Sequence, residues 1–208
     1  MKYVIIDFNG TIVDDVELSL AAINHAAKKF LQRGEISLEE YKRVFTFPII
    51  DYYRAVGFDF DVVDWDEAAH CWFNYYTEHQ KEAPLADGIL EFLKSNREKG
   101  YKNVVLSASI SSLLEEQLKQ LGVYDLFDEI IGKDNIYAPS KVDVGLKFIK
   151  DKDPKDCIMI GDTCHDKEVA DEMGVDCILV SSGHEAKERL QKVCDKVVDS
   201  IKEVTLWE

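Results

Sequence analysis

What most constrains this chain is a repeated alternation of a short, almost wholly apolar run, a stretch with helical spacing, and a glycine. The apolar runs are YVIIDF at 3–8, NVVLSAS at 103–109, EIIG at 129–132, DCIMIGD at 156–162 and DCILVSS at 176–182. Runs this poor in polar residues and rich in Val and Ile suit strands covered on both faces. Sequences such as SSLLEEQLKQLG and DKEVADEMG follow them with helical spacing. Gly100, Gly122 and Gly174 stand where a helix end favours a left-handed residue, and KVVDS at 196–200 supplies a last short strand. The expected fold is α/β, a doubly wound parallel sheet built from βα units.

Residues 14–83 break the pattern with helical, aromatic-rich sequence, including YKRVF, DYYRAVGF and AAHCWFNYYTEH, and no strand. The expected organisation is therefore a core of residues 1–13 plus 84–208 and a small all-helical insertion, 14–83, after strand one. Ligand sites in open α/β sheets lie at the carboxyl ends of the strands, so an insertion entering there acts as a cap. The stripe Trp65, Trp72, Phe73, Tyr75 and Tyr76 has helix-face spacing, and packing inside the cap is its expected role.

Forty acidic against 25 basic residues give a formal net charge of −15, which disfavours nucleic acid and anionic membranes as partners. No apolar stretch approaches the roughly 18 residues that span a bilayer, and the first strand begins too early to leave room for a signal peptide, so a cytoplasmic location is expected. Cys71, Cys157, Cys164, Cys177 and Cys194 form no C-x-x-C pair or zinc-like spacing and are expected as reduced thiols, Cys157 and Cys177 in the core.

Strand one ends in Asp7-Phe8-Asn9-Gly10-Thr11, where alternation puts Asp7 and Asn9 on one side and Gly10 turns the chain. Strand four ends in Gly161-Asp162-Thr163-Cys164-His165-Asp166, two carboxylates four residues apart where a strand becomes a helix. Asp7 and Asp162 could supply oxygen ligands to a hard divalent cation such as Mg2+, although helix capping also accounts for Asp162 or Asp166. Ser107 ends the second strand with a hydroxyl, and Lys141 opens a helix after Ser140 with a compact positive charge.

Together these segments resemble the haloacid dehalogenase superfamily, whose four short motifs occur in this order at strand ends. Asp7 to Thr11 looks like the first, Ser107 the second, Lys141 the third and G-D-T-C-H-D the fourth, and the helical insertion falls where that family carries its cap. LSAS, SK and IMIGDT look closest to the capped phosphatases of the phosphoglycolate phosphatase and β-phosphoglucomutase type. The resemblance implies attack of Asp7 on phosphorus and hydrolysis of the resulting aspartyl phosphate. It implies a phosphate cradle of Gly10, Thr11, Ser107, Ala108 and Lys141. It also implies a magnesium site of Asp7, the carbonyl of Asn9 and Asp162, with Asp166 behind it, and a small phosphorylated metabolite as substrate.

Asn9 departs from the pattern: most phosphatases of this family carry there an aspartate that protonates the leaving alcohol and activates water. An amide does neither, and general acid and base assistance contributes roughly 10² to 10⁴-fold, so slowed hydrolysis of alkyl esters is expected. Two alternatives stay open, a weakened member that binds phosphate esters as a sensor or partner protein, and a phosphonatase-like member using a cap amine among Lys28, Lys29, Lys42 and Lys81. His25, His70 and His79 read as surface residues and His184 as part of a solvent-facing loop. His165 is a candidate for substrate contact or replacement proton transfer, and Arg43 and Arg54 are candidates for clamping a second anion.

Overall fold

The computed structural model describes residues 1–31, 33–133 and 140–207. Its strands β1 (Tyr3–Ile6), β2 (Lys102–Ile110), β3 (Glu129–Lys133), β4 (Cys157–Gly161), β5 (Asp176–Val180) and β6 (Val197–Val198) form one sheet in the order β3-β2-β1-β4-β5-β6. Every neighbouring pair is parallel. The chain winds outward from β1 in one direction through β2 and β3, then returns to the other side of β1 for β4 to β6. The reversal between β1 and β4 opens a crevice at their carboxyl ends.

Strand residues alternate between two buried layers, as a period of two requires. Val4, Ile6, Val105 and Ile160 pack with Ile89 and Leu93 of α5 (Ile89–Glu98) and with Leu114 and Leu118 of α6 (Ser111–Gln120). On the opposite face Ile5, Leu106 and Met159 meet Phe148 of α7 (Lys141–Ile149) and Val169 and Met173 of α8 (Cys164–Met173). A last short helix, α9 (Lys187–Leu190), precedes β6. Covering both faces explains the nearly continuous apolar strands. Cys157, Cys177 and Cys194 are buried in the second layer, and all five cysteines are free thiols.

Between β1 and β2 the chain forms α1 (Val16–Phe30), α2 (Leu38–Val44), α3 (Ile49–Val56) and α4 (Trp65–His79). Asp64 opens α4 by accepting from the Glu67 N–H at 2.9 Å, and Gly57 closes α3 with a left-handed backbone at φ 113°. These helices share a hydrophobic cluster of their own, centred on Ile23, Tyr41, Tyr52, Val56 and Ala68. Where the chain leaves and re-enters the sheet it runs alongside itself, with Asp14 N–H donating to Pro84 O and Ala86 N–H to Ile12 O, both at 2.9 Å. The helical layer also touches the loop after β5, since the Ala186 N–H donates to Lys42 O at 3.0 Å and Lys42 Nζ to Ser182 O at 3.0 Å.

Candidate active site

Asp7 follows β1 directly, and its N–H still donates to Ile160 O of β4 at 2.9 Å, so sheet pairing fixes where its side chain emerges. Asp162 follows β4 in the same way. Asp166 stands in the first turn of α8, inside a capping box with Thr163. One carboxylate oxygen from each of Asp7, Asp162 and Asp166 lies within 4.8 Å of the others. Lys141, the first residue of α7, reaches between them: its Nζ donates to Asp166 Oδ1 at 2.6 Å and in a still shorter contact to Asp7 Oδ1. All four side chains are buried or nearly so.

Burial is the main reason the Asp7 carboxyl titrates high, at about 7; Lys141 opposes the shift, and the charges of Asp166 and Asp162 add to it. Asp162 is pushed up to about 6, again chiefly by burial. For Asp166 burial also favours the acid, but Lys141 and the Thr163 hydroxyl outweigh it and hold the carboxyl below its ordinary value. Burial disfavours the Lys141 ammonium too, yet the two aspartates overcome this and raise its pKa.

The hydrogen bonds divide the three carboxylates by role. Asp166 Oδ2 accepts from the N–H groups of Asp162 (3.1 Å) and Thr163 (3.0 Å) and from Thr163 Oγ1 (2.7 Å), while its Oδ1 holds Lys141, so Asp166 is saturated. Asp162 accepts one bond on each oxygen, from Thr11 Oγ1 at 2.9 Å and the His184 N–H at 2.6 Å. Asp7 Oδ2 has no hydrogen-bond donor among the described residues. The space is tight around Asp162: a Cβ on Gly10 would lie 2.3 Å from its Oδ2, and one on Gly183 at 2.2 Å. Gly10 also has φ +70°, which disfavours a side chain independently. Crowded all-oxygen donors, two of them kept from ionising freely, fit a hard divalent cation.

A cavity of about 630 Å³ opens over Asp7, Lys141 and Asp166. The pairing of β2 with β3 is irregular between Leu106 and Ile110, where Ser107, Ala108 and Ser109 line the cavity. Ser107 Oγ accepts from the Ser109 N–H at 3.1 Å, leaving its own hydrogen to be donated elsewhere. Two members of the expected phosphate cradle are otherwise engaged. The Gly10 N–H donates to Asp15 Oδ1 at 2.8 Å, and the Thr11 hydroxyl donates to Asp162, so Thr11 braces a carboxylate where a phosphate donor was expected.

The aromatic stripe meets expectation in part, since Trp65 and Trp72 pack against the helical segment's own cluster. Trp65, Trp72, Phe73 and Tyr76 lie on the α4 face that lines the cavity, whereas Tyr75 turns away to stack with His25 at 4.9 Å. Neither Arg43 nor Arg54 reaches the cavity; Arg54 is exposed and paired with Asp51 at 2.7 Å. Lys141 is the one lysine lining it among the described residues, so the cap amine that a phosphonatase needs is not at hand. His165 does line the cavity, its Nδ1 3.0 Å from Glu168 Oε2.

A model of the haloacid dehalogenase-like hydrolases matches residues 4–180. The chain belongs to that family. The hydrolase is 25% identical over 167 residues to the pyrophosphatase PpaX of Bacillus pumilus, covering 78% of this chain and 75% of that one. Its fold matches that of a haloacid dehalogenase-like hydrolase from Streptococcus pneumoniae with TM-score 0.81 at 22% identity, over 96% of this chain and 94% of the other. CbbY from Rhodobacter sphaeroides, solved in complex with phosphate, matches with TM-score 0.72 at 18% identity, over 98% and 96% of the two chains.

The hydrolase also contains a buried network that sequence reasoning missed. Asp15 accepts from Asn9 Nδ2 at 2.8 Å, from Tyr76 Oη at 2.7 Å and from the Gly10 N–H, and lies 3.2 Å from His184 Nε2. His184, expected on a solvent-facing loop, is only 4% exposed, and its Nδ1 lies 2.8 Å from the Tyr41 hydroxyl. Burial works against the ionised forms of both Asp15 and His184, but their mutual attraction prevails. Asp15 is held below its ordinary pKa and His184 is raised to about 9. Asn9 is thus fastened by its amide to an ionised carboxylate. No local sequence signal marks Asp15, since an aspartate just before α1 reads as an ordinary helix cap, although here its side chain makes no cap hydrogen bond.

Proposed function

We propose that this hydrolase is a magnesium-dependent phosphatase that acts on a small phosphate monoester through an aspartyl phosphate on Asp7. The observation that carries this reading is the asymmetry of Asp7, with Oδ1 held by Lys141 and Oδ2 free, among the described residues, of hydrogen-bond donors beneath a cavity. A carboxylate presented in this way attacks phosphorus with Oδ2, forming the O–P bond while the ester oxygen departs with the bonding pair. Lys141 steadies the charge on Asp7, and the Ser107 hydroxyl donates to a phosphoryl oxygen. Water then attacks the acyl phosphate, releasing phosphate and restoring Asp7.

Asp7, Asp162 and the carbonyl of Asn9 would hold Mg2+, with Asp166 and Thr11 keeping the ligands in place. The ion supplies charge neutralisation for the phosphoryl group beside carboxylates that otherwise repel it. Asn9 can neither give a proton to the leaving oxygen nor take one from water, so turnover of alkyl esters is slow. The segment 14–83 serves as the cap, with hinges at Asp14 and Lys81 to Pro84. The high negative charge favours a small partner over nucleic acid.

The test is phosphate release from a panel of monoesters with and without Mg2+, using the chain as it stands and Asp7→Asn. Linear, magnesium-dependent release abolished in Asp7→Asn is the expected result. Ester binding with no release above the Asp7→Asn background would favour the binding-protein reading that Asn9 allows.

A further inference from the structure

The cavity walls carry a chemistry that the catalytic groups do not require. Phe45, Phe47, Tyr53, Trp65, Trp72 and Phe73 all line it. Among the described residues no arginine lines it, and its one lysine, Lys141, is already shared between Asp7 and Asp166. The histidines there are engaged as well. His184 faces Asp15, His165 meets Glu168, and His70 Nδ1 lies 2.6 Å from the carbonyl of Asp66. A second anionic group on a substrate would therefore meet aromatic walls with no free cation to compensate its lost hydration.

The leaving-group chemistry agrees with the walls. With an amide at position 9, the favoured esters are those whose oxygen departs without being protonated, as a phenol-type oxygen does more readily than an alkyl one.

We propose that the cavity receives an uncharged aromatic body, making the preferred substrates aryl-type phosphate monoesters. This rests on reading Asp7 as the phosphoryl acceptor. In the first step the bond from Asp7 Oδ2 to phosphorus forms, the phosphorus–aryloxy bond breaks, and its electron pair leaves on the aryl oxygen as a phenolate. The preference sets this chain apart from enzymes whose leaving group is itself anionic, such as phosphate from pyrophosphate or glycolate from phosphoglycolate.

Two matched arms test it with the full chain in Mg2+. In the first, calorimetry compares benzylphosphonate with phosphonoacetate, which carry a phenyl ring or a carboxylate on the same linking carbon and cannot turn over. Benzylphosphonate should bind more tightly by roughly tenfold or more, the scale expected for burying a ring. Phe73→Arg, which puts a cation on a half-exposed part of the wall, should shrink or reverse that ratio. In the second, hydrolysis of 1-naphthyl phosphate should exceed that of 2-phosphoglycolate and pyrophosphate in kcat/KM. Equal or tighter binding of phosphonoacetate overturns the aromatic preference, as does preferred hydrolysis of either anionic substrate while Asp7-dependent release continues. A clear benzylphosphonate preference with no phosphate released from any ester sinks the phosphatase reading instead, and leaves the cavity assigned to an aromatic ligand.

Discussion

Replacing Asn9 by aspartate puts a second carboxylate where the Asn9 amide now lies, 2.8 Å from Asp15 Oδ2. Two full charges at that separation repel by about 6 kcal/mol even at an effective dielectric constant near 20, so the pair keeps one proton at neutral pH. The new carboxyl is raised above its unfolded value of about 3.9, and its contribution is therefore complete below that value and lost as pH rises toward the folded pKa. Each pH unit in that window costs about 1.4 kcal/mol, so Asn9→Asp should match the parent near pH 4 and fall behind it by up to about 4 kcal/mol near pH 7. Urea unfolding at a series of pH values, followed by tryptophan fluorescence, reads this difference directly. The retained proton is also the one a leaving alcohol needs, so turnover of an alkyl phosphate should rise by roughly 10² in the same variant. Asn9→Asp combined with Asp15→Asn removes the repulsion and should flatten the pH dependence. A stability difference constant between about pH 4 and 8 would refute an ionised Asp15 beside Asn9.

Lys141→Met leaves Asp7 and Asp166 buried without their cation and should cost about 3–5 kcal/mol in urea unfolding, together with all phosphate release. Because Asp7 and Asp162 titrate high, at about 7 and about 6, the metal-free protein should lose stability as pH rises through that range. Mg2+ should accordingly raise Tm more at about pH 8 than at about pH 5 in thermal scans. Thr11→Val removes the hydroxyl held by Asp162 and should weaken Mg2+ binding by roughly 10 to 100-fold by calorimetry, with the fold intact by circular dichroism.

The sheet was legible because covering both faces imposes an apolar run and each return imposes a helix with an end signal. Strand limits moved by only a few residues, β1 ending at Ile6 so that Asp7 belongs to the turn. The carboxylates were legible for a related reason: Asp7 and Asp162 occupy equivalent strand ends, which local sequence marks. Asp15 and His184 were not, because their pairing joins positions 169 residues apart and each looks like an ordinary loop residue in its own segment. The aromatic stripe was half legible. Helical spacing announces that Trp65, Trp72, Phe73 and Tyr76 share a face, but only the placement of α4 over the strand ends turns that face toward a cavity. Thr11 shows the same limit, since nothing in G-T says whether the hydroxyl meets a phosphate or Asp162.

The most direct test of the account is the covalent state of Asp7. With a base missing for the second step, an aryl phosphate should load Asp7 faster than water unloads it, giving a burst of phenol followed by slow release of phosphate. Acid quenching during that slow phase, followed by peptide mass spectrometry, should find one phosphoryl group on the peptide that contains Asp7, dependent on Mg2+ and absent in Asp7→Asn. Steady phosphate release from the parent chain, undiminished in Asp7→Asn and with no phosphorylated peptide at any quench time, would contradict it.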